Sequence, residues 1–537
     1  MCGIFFILSK SGVFSEENIS LILSKFKLLS SRGPDKYSVT YVNNFILGFQ
    51  RLAINDTSDN GMQPFCSTKN NSNSYTMCNG EIYNYHELVK EHKDFSPSSH
   101  SDCEILPYLF SEYSFENVLK KLDGVFAISH IDLTSNKLFI ARDRLGVKPL
   151  FYSENENFFA LSSEAKSLTD LFQDIQQLPP SSFMTISLTN YQKTYDTYTT
   201  LNEHIDFTYK YEDCVINIHD LLVKAVQKRL CSDREIGCLL SGGLDSSIIA
   251  SILSKELSKT NKKIHTFSVG FPDSTDIVYA RQVSQYINSE HHEYIIQYED
   301  ALKEIENVIK ATETYDTTTV RASIPMYMLC KWINKNFPHK VIFSGEGSDE
   351  LLCGYLYFHK APTPKDAHLD SLRLLKELYK YDILRADRCT ASNGLEFREP
   401  FLDKDLIDFV TSINPDYKVP RNGYEKEILR VAFSSNYLPD NVLWRRKAAF
   451  SDAVSSSKKP WYKWIQEYIE DIKDIKDIKD IKLQDYGGTV ESNYFKTLFY
   501  KNFNGYQLDL PLWLPRWSNV GKEPSATVLD IYKKEEH

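Results

Sequence analysis

A strand, a glycine-serine turn and a helix follow one another in the middle of the chain, and this unit constrains the fold more than any other feature. Residues 236–240 are an apolar run with the length of a buried strand, and residues 244–257 are predicted to be a helix. The turn between them reads Ser241-Gly242-Gly243-Leu244-Asp245-Ser246-Ser247. Glycines permit close backbone approach, and the N–H groups at a helix start form an anion cradle together with serine hydroxyls. The chain has no Gly-x-x-x-x-Gly-Lys-Ser/Thr sequence, which excludes a Walker-type γ-phosphate site.

The second half of the chain continues this alternation of strands and helices. Apolar runs at residues 264–271, 293–296 and 341–343 are predicted strands, and a helix is predicted from about residue 277. A helical stripe at residues 213–230 precedes the unit, and the chain beyond about residue 360 is expected to be mainly helical. Strands that alternate with helices predict a parallel sheet covered on both faces.

The first 200 residues or so have a different pattern, in which short apolar runs are separated by turn residues. Runs at residues 45–49, 124–131 and 137–141 predict a strand-rich domain. The chain turns near residues 177–182, and the polar stretch at 191–211 is a predicted linker. These features predict two domains, at residues 2–190 and 213–520.

Charge and cysteine usage limit the partners and the compartment. The 537 residues carry a net charge of -10 with no dense basic stretch, so neither nucleic acid nor an anionic membrane is expected as a principal partner. Ten cysteines without a Cys-x-x-Cys pair indicate buried thiols in a reducing compartment. No apolar run is long enough to span a bilayer, and the N-terminus is predicted to be a strand rather than a signal peptide. We therefore expect a cytoplasmic protein.

The second residue is a candidate nucleophile. If Met1 is removed, the Cys2 thiol lies within reach of its own α-amino group, whose reference pKa of about 7.7–8.0 suits a general base. Activation by an N-terminal amine is a known form of covalent catalysis. An early cysteine alone is commonly incidental, so the assignment depends on what accompanies it.

Five further segments accompany Cys2 in a characteristic order: Ser31–Asp35, Gln50–Ile54, Cys78–Asn84, Ser101–Glu104 and Ala141–Leu150. Together they resemble the class II glutamine amidotransferase domain, which implies an N-terminal-nucleophile (Ntn) hydrolase fold, a four-layer αββα sandwich. In that family the cysteine attacks the glutamine side-chain amide. The resulting oxyanion needs preorganised donors.

The resemblance implies a role for each matching residue. Cys2 is the catalytic nucleophile, and the Asn79 amide and the Gly80 N–H are oxyanion donors. Arg51 would bind the glutamine carboxylate, while Asp102 and Glu81 match its ammonium group. The implied glutamine-binding residues are Arg51, Leu52, Ala53, Ile54, Asn55, Asn79, Gly80, Glu81 and Asp102. Two alternatives stay open: Asn79-Gly80 as a hairpin turn, and Arg51 as a surface ion pair. Arg32 and Asp35 could be supports of the fold.

The central turn resembles the PP-loop of ATP pyrophosphatases, which cleave ATP between the α- and β-phosphates. The resemblance implies ATP contacts from this loop and from two neighbouring strand ends, namely Leu239, Ser241, Gly242, Gly243, Asp245, Ser246, Val269, Ser344 and Gly345. Glu346 would be the carboxylate required for forming an acyl-adenylate. Asp245 and Asp349 could hold Mg²⁺ on the pyrophosphate or could cap helices, so the metal ligands stay unassigned.

Segments 313–323, 354–362, 444–452 and 511–517 narrow the resemblance to the asparagine synthetase family. It implies ATP-dependent amidation of aspartate through β-aspartyl-AMP, with ammonia from glutamine, by a possible homodimer. Thr318 and Arg321 would bind aspartate, and Lys447 would stabilise charge on the phosphate or the adenylate. The catalytic set is then Cys2, Asn79, Gly80, Glu346, Arg321 and Lys447.

Two rival functions are open, and three features depart from the family pattern. The rivals are the same glutaminase serving another acceptor, such as a β-lactam-forming, sugar or peptide amidotransferase, and a non-catalytic binding protein. Phe49-Gln50 stands where relatives often carry histidine, and Glu399 replaces a usually apolar residue. An Asp-Ile-Lys repeat at residues 471–482, predicted to be a solvated helix or loop, has no counterpart in the family. These departures put local packing and stability in doubt.

Overall fold

The computed structural model describes most of the chain. The described residues are 1–67, 73–272, 274–447, 454–455, 459–472, 486, 488–518 and 523–525. Two features of the sequence analysis lie partly outside the described residues. They are residues 448–452 of segment 444–452 and the Asp-Ile-Lys repeat after residue 472.

The first part contains two antiparallel sheets of six strands each. The first sheet is built from β1 (Gly3–Ser9), β2 (Lys36–Val42), β3 (Phe45–Arg51), β8 (Phe151–Glu154), β9 (Phe158–Ser162) and β10 (Ile175–Gln177). The second is built from β4 (Phe65–Ser67), β5 (Ser74–Ile82), β6 (Gly124–Asp132), β7 (Lys137–Arg142), β11 (Ser182–Ser187) and β12 (Lys193–Thr197). Their strand orders are β10-β8-β9-β1-β3-β2 and β12-β11-β7-β6-β5-β4.

These sheets stack face to face with helices outside. Successive strand residues point to opposite faces, so Ile4 and Phe6 of β1 pack between the sheets against Met77 and Ile140. Phe5 and Ile7 point outward, into a cluster that includes α1 (Glu16–Lys27). The outer face of the second sheet is covered by α2 (Tyr85–Glu91), α3 (Leu106–Glu112) and α4 (Phe115–Lys121). This αββα order confirms the predicted sandwich.

The second part is built on a parallel sheet, as predicted, and this sheet has five strands. Its strands are β13 (Ile236–Leu239), β14 (His265–Gly270), β15 (Glu290–Ile295), β16 (Val341–Phe343) and β17 (Glu396–Arg398). Their order is β15-β14-β13-β16-β17, and all neighbours are parallel. β17 was not predicted, because two of its three residues are charged although all three are buried.

Helices surround this sheet, and they account for most of the regular secondary structure among the described residues after 360, as predicted. Those in the first half of this part are α5 (Tyr211–Lys228), α6 (Leu244–Ser258), α7 (Thr275–Tyr286), α8 (Tyr298–Lys303), α9 (Ile305–Thr312), α10 (Thr317–Asn336) and α11 (Ser348–Leu351). The later ones are α12 (Pro364–Glu377), α13 (Asp382–Ala391), α14 (Lys404–Ser412), α15 (Glu427–Ala432), α16 (Asp440–Leu443), α17 (Trp461–Ile472) and α18 (Val490–Asn502). Short 3-10 turns lie at Asp59–Gly61, Ala165–Ser167, Leu356–Lys360, Leu378–Lys380, Pro400–Leu402 and Pro415–Tyr417. Among the described helices, none is both long and apolar enough to cross a membrane.

The boundary between the two parts is held by buried charges. Arg32 is fully buried, and its guanidinium binds Glu164 at 2.9 Å and Asp387 at 3.0 Å, one carboxylate from each part. The stretch predicted as a linker contains the edge strand β12, whose side chains are all exposed. An exposed polar strand carries no apolar alternation, so the sequence pattern did not reveal it.

Candidate active sites

The first candidate site surrounds Cys2, next to the start of β1 in the middle of its sheet. The Cys2 backbone N–H donates to Asn79 Oδ1 at 2.9 Å, and the thiol donates to the Leu52 carbonyl at 3.7 Å. Arg32 Nε donates to the Cys2 carbonyl at 3.0 Å, so Arg32 supports the site as well as the boundary. Burial raises the pKa of the Cys2 thiol, which favours the protonated form. A nucleophilic thiolate here therefore needs a base.

Asn79 and Gly80 lie inside β5, where they pair with Ala127 and Phe126 of β6. The hairpin-turn alternative is therefore wrong. Asn79 Nδ2 is buried, and within the described residues it has no hydrogen-bond partner. An orphan buried donor is costly unless a ligand uses it, and this amide suits an oxyanion. A Cβ at Gly80 would stand 2.0 Å from the Val125 carbonyl oxygen, so the strands can approach this closely only at a glycine.

Two carboxylates and one amide, those of Glu81, Asp102 and Asn55, form a cluster beside Cys2 that we call the acidic wall. Asn55 Nδ2 donates to Glu81 Oε2 at 2.6 Å and lies 3.5 Å from Asp102 Oδ1. Asp102 Oδ2 also accepts from the Ile82 N–H at 2.6 Å. Burial raises the pKa of both Glu81 and Asp102, and the two carboxylates also repel each other. A bound ammonium group would relieve this cost, as the predicted role requires.

Arg51 is buried at the end of β3, so the surface ion-pair alternative is wrong. Its guanidinium donates to the backbone carbonyls of Ser58, at 2.5 Å, and Asp56. No carboxylate in the described part of the chain forms an ion pair with it. A carbonyl does not neutralise a positive charge, and the guanidinium keeps its attraction for an anion. The adjoining Leu52, Ala53 and Ile54 are buried, and they continue the wall from Arg51 towards Asn55.

The second candidate site is a cavity of about 260 Å³ at the carboxyl ends of β13, β14 and β16. Ligands of open α/β sheets bind at this edge. The predicted residues that line it are Leu239, Ser241, Gly243, Asp245, Ser246, Val269, Thr318, Ser344, Gly345, Glu346 and Lys447. Gly242 is not among the lining residues. Gly242 instead shapes the turn. Its φ is +73°, and a Cβ added at this position would lie only 2.5 Å from the Ala280 nitrogen, so no larger residue fits.

The floor of this cavity is suited to phosphate. Helix α6 begins at Leu244, and the N-cap residue Gly243 has no side chain to cap it, which leaves backbone N–H groups free for an anion. The hydroxyls of Ser241 and Ser246 lie 3.0 Å apart beside it. Six cationic side chains also line the cavity, those of Arg385, Lys426, Arg430, Arg445, Arg446 and Lys447, and six carboxylates accompany them, those of Asp245, Asp276, Glu346, Asp349, Glu350 and Asp382.

Asp245 and Asp349 are held by ammonium groups in place of helix N–H groups, contrary to the capping alternative. Lys426 Nζ donates to both Asp245 oxygens, at 2.6 and 2.7 Å, and to Asp349 Oδ1 at 2.7 Å. Lys447 Nζ donates to the other Asp349 oxygen. These two cations hold the pKa of Asp349 well below its usual range. Lys426 was missed by the sequence reasoning. Lys426 is buried, and its φ of +53° is a backbone conformation that the pattern of side chains in the sequence does not predict.

Glu346 also faces this cavity, as predicted. Its Oε2 lies 2.7 Å from Arg385 NH2. Burial raises the pKa of Glu346, and Arg385 partly offsets that effect. Thr318 lines the cavity as well, with its hydroxyl donating to Asp316 Oδ1 at 2.6 Å.

The structure does not bring Arg321 to the cavity. Arg321 Nε donates to Glu491 Oε1 at 2.8 Å, and NH1 donates to Glu523 Oε1 at 2.6 Å. Its guanidinium also lies over the ring of Tyr462, 4.9 Å from the ring centre. Two carboxylates from later segments thus occupy the group that was predicted to bind aspartate.

One departure from the family pattern lies at the boundary between the two parts. Glu399 is fully buried, and neither of its oxygens has a hydrogen-bond partner within the described residues. Burial raises its pKa to about 7, while the nearby cations of Lys148 and Arg229 act in the opposite direction. Gln50, the other departure, is buried in β3 and pairs with Gly3 and Tyr37.

Arg398 connects the two sites directly. Its NH2 lies 3.5 Å from Glu81 Oε2 in the acidic wall. Its carbonyl oxygen accepts from the Ser344 N–H, at 3.1 Å, on the rim of the cavity. One residue of β17 therefore touches a predicted glutamine-binding group and a predicted ATP-binding group.

Comparison with known proteins identifies both parts of the chain. A family model described as a glutamine amidotransferase domain matches residues 1–206, and one described as asparagine synthase matches residues 217–373 and 361–514. A Bos taurus protein named asparagine synthetase [glutamine-hydrolyzing] is 39% identical over 565 residues, covering 99% of each chain. The Gallus gallus protein of that name is 40% identical over 569 residues, again covering 99% of each. A probable asparagine synthetase [glutamine-hydrolyzing] of Acanthamoeba polyphaga mimivirus is 39% identical and covers 99% of this chain and 100% of its own. The chain belongs to the glutamine-hydrolysing asparagine synthetase family.

Proposed function

We propose that this chain synthesises L-asparagine from L-aspartate with ATP, using ammonia released from L-glutamine. The observation that carries the proposal is the link through Arg398 between the Cys2 site and the cavity. Relatives that match over nearly the whole chain are named for a glutamine-dependent synthesis of asparagine. No observation favours a different acceptor.

Glutamine hydrolysis is assigned to the Cys2 site. Once Met1 is removed, the Cys2 nitrogen becomes an amine that still faces Asn79 Oδ1, 2.9 Å away. The amine takes the thiol proton, and the sulfur attacks the glutamine amide carbon. Asn79 Nδ2 and the Gly80 N–H stabilise the oxyanion, since the former lacks any other partner within the described residues. The protonated α-amine gives this proton to the departing nitrogen, so ammonia leaves, and water then hydrolyses the thioester to glutamate and the free Cys2 thiol.

Activation of aspartate is assigned to the cavity. The aspartate β-carboxylate attacks the α-phosphorus of ATP, giving β-aspartyl-AMP and pyrophosphate, and ammonia then displaces AMP. The α6 N-terminus, the loop serines and Lys447 would carry the phosphate charge, while Thr318 would contact aspartate and Glu346 would support adenylate formation. The carboxylate oxygens of Asp245 and Asp349 are ligands that Mg²⁺ prefers, and a bound ion would neutralise charge on the phosphates.

The assignment of two sites implies transfer of ammonia inside the protein. Free ammonia in water becomes protonated and loses its nucleophilicity, so a passage that excludes water is expected. We propose that this passage runs near Arg398, which contacts both sites.

All ten cysteines are free thiols, which agrees with the expected reducing, cytoplasmic location. The possible homodimer and the domain limits 2–190 and 213–520 stay predictions, which light scattering and limited proteolysis can measure.

Product analysis tests the proposal. We expect purified protein with glutamine, Mg²⁺, ATP and aspartate to form asparagine, glutamate, AMP and pyrophosphate in equal amounts. ADP in place of AMP would contradict the adenylate route. An amide product formed only when another acid replaces aspartate would contradict the assigned acceptor.

A further inference from the structure

A cluster of metal-binding side chains lies at the edge of the parallel sheet opposite the cavity. His265 opens β14, while Glu290 and His292 belong to the beginning of the neighbouring β15. His265 pairs with Glu290 in the register, and the ligand atoms of all three residues lie within 4.8 Å of one another. The cavity, in contrast, lies at the carboxyl ends of the strands. Neither proposed half-reaction uses this cluster.

One ligand atom from each residue can be chosen so that all three lie within 4.8 Å of one another, and the individual contacts, which involve both ring nitrogens of His265 and both oxygens of Glu290, are shorter. His265 Nδ1 lies 3.1 Å from His292 Nε2, and Glu290 oxygens lie 3.5 Å from His265 Nε2 and 3.7 Å from His292 Nε2. Ligand atoms bonded to a tetrahedral ion at about 2.0–2.1 Å are about 3.3 Å apart. Small side-chain rotations would therefore bring one atom of each residue onto a common ion.

The ligands are accessible. The side chains of His265, Glu290 and His292 are 27%, 53% and 19% exposed, which leaves a route for an ion from solvent.

A third histidine adjoins the cluster. The ring of His339 lies 4.3 Å from that of His265, centre to centre. His339 is 3% exposed, and its Nδ1 has no hydrogen-bond partner among the described residues. His339 is therefore a buried neighbour of the cluster, although its own nitrogens are not among the ligand atoms that lie within 4.8 Å of one another.

We propose that His265, Glu290 and His292 form a binding site for a divalent transition-metal ion such as Zn²⁺, with water completing the coordination. Two imidazoles and one carboxylate suit Zn²⁺ and Co²⁺ and disfavour Mg²⁺, which prefers oxygen ligands. The ion would tie the edge strand β15 to β14.

Metal titration of the full chain tests the site. Protein freed of metal by a chelator is titrated with Zn²⁺ against a chromophoric competitor, and separately with Co²⁺ while visible absorption is recorded. His265→Gln and His292→Gln are compared with His291→Gln, a control on the opposite face of β15 whose side chain bonds Thr266 instead. The same ten cysteines are present throughout, so differences between variants report the histidines.

We expect one Zn²⁺ per chain that is lost or bound at least about tenfold more weakly in both test variants and retained in the control. Co²⁺ should give the intense visible bands of a four-coordinate ion only where the two histidines are intact, and excess Mg²⁺ should not displace it. Equal Zn²⁺ and Co²⁺ binding by wild type and both test variants would overturn the proposal. So would the absence of binding in wild-type protein whose circular dichroism shows it to be folded.

Discussion

Replacing Glu399 by glutamine should make the protein's stability less dependent on pH. The side chain is buried at the boundary between the two parts, and within the described structure neither carboxylate oxygen has a partner. Glutamine keeps the shape of the side chain and removes its titration. The substitution therefore isolates the cost of charging one buried carboxyl group.

The sign and size of the effect follow from linkage. Burial raises the pKa of Glu399 from 4.5 to about 7, so between these values the folded protein holds a proton that the unfolded chain has released. Stability is then lost as pH rises from 4.5 and stops falling above about 7. At 1.36 kcal/mol per pH unit, this interval corresponds to a loss of about 3 kcal/mol in the free energy of unfolding.

Urea unfolding at several pH values between 4.5 and 8 measures this loss. The advantage of Glu399→Gln over wild type should grow by about 3 kcal/mol from the lowest to the highest pH. Glu156→Gln, at an exposed carboxyl group, serves as the control and should show no comparable trend. A difference between Glu399→Gln and wild type that stays constant with pH would refute the reasoning, because the carboxyl group would then be ionised in the folded protein over the whole range.

Three further substitutions separate the roles assigned above. Asn79→Ala should reduce glutamine-dependent turnover about 10²–10³-fold and leave ammonium-dependent synthesis unchanged; equal losses with both nitrogen sources would contradict the oxyanion role. Lys426→Met should reduce pyrophosphate release at least about tenfold with either nitrogen source, because Asp245 and Asp349 lose their shared charge-assisted bonds, and an unchanged rate would remove Lys426 from the site. Arg321→Met should lower the free energy of unfolding by about 3–5 kcal/mol, since it leaves buried Glu491 unpaired. A raised KM for aspartate at unchanged stability would instead restore the predicted binding role of Arg321.

Local patterns predicted the elements that carry the chemistry. The apolar run at residues 236–240 and the glycine-serine turn after it gave the correct strand, loop and helix, because each depends on neighbouring residues alone. The buried strand β1 was likewise evident, since both of its faces are covered and the run is continuously apolar.

Features that depend on distant partners could not be predicted. Asn79-Gly80 has the composition of a tight turn, yet β6 pairs with it along its length and fixes it as a strand. Lys426 meets Asp245 and Asp349 only after the chain folds. Arg321 is bound by carboxylates 170 and 202 residues away along the chain, contacts that no local pattern encodes.

Cys2 releases ammonia from glutamine for use at a separate ATP-dependent site, so the Cys2→Ala protein should lose one nitrogen source and keep the other. Asparagine formation is measured with Mg²⁺, ATP and aspartate, once with glutamine and once with an ammonium salt. We expect Cys2→Ala to form no asparagine from glutamine, and to form asparagine from ammonium at a rate close to that of wild type. Asparagine from glutamine at the wild-type rate, or loss of both activities in a folded protein, would contradict it.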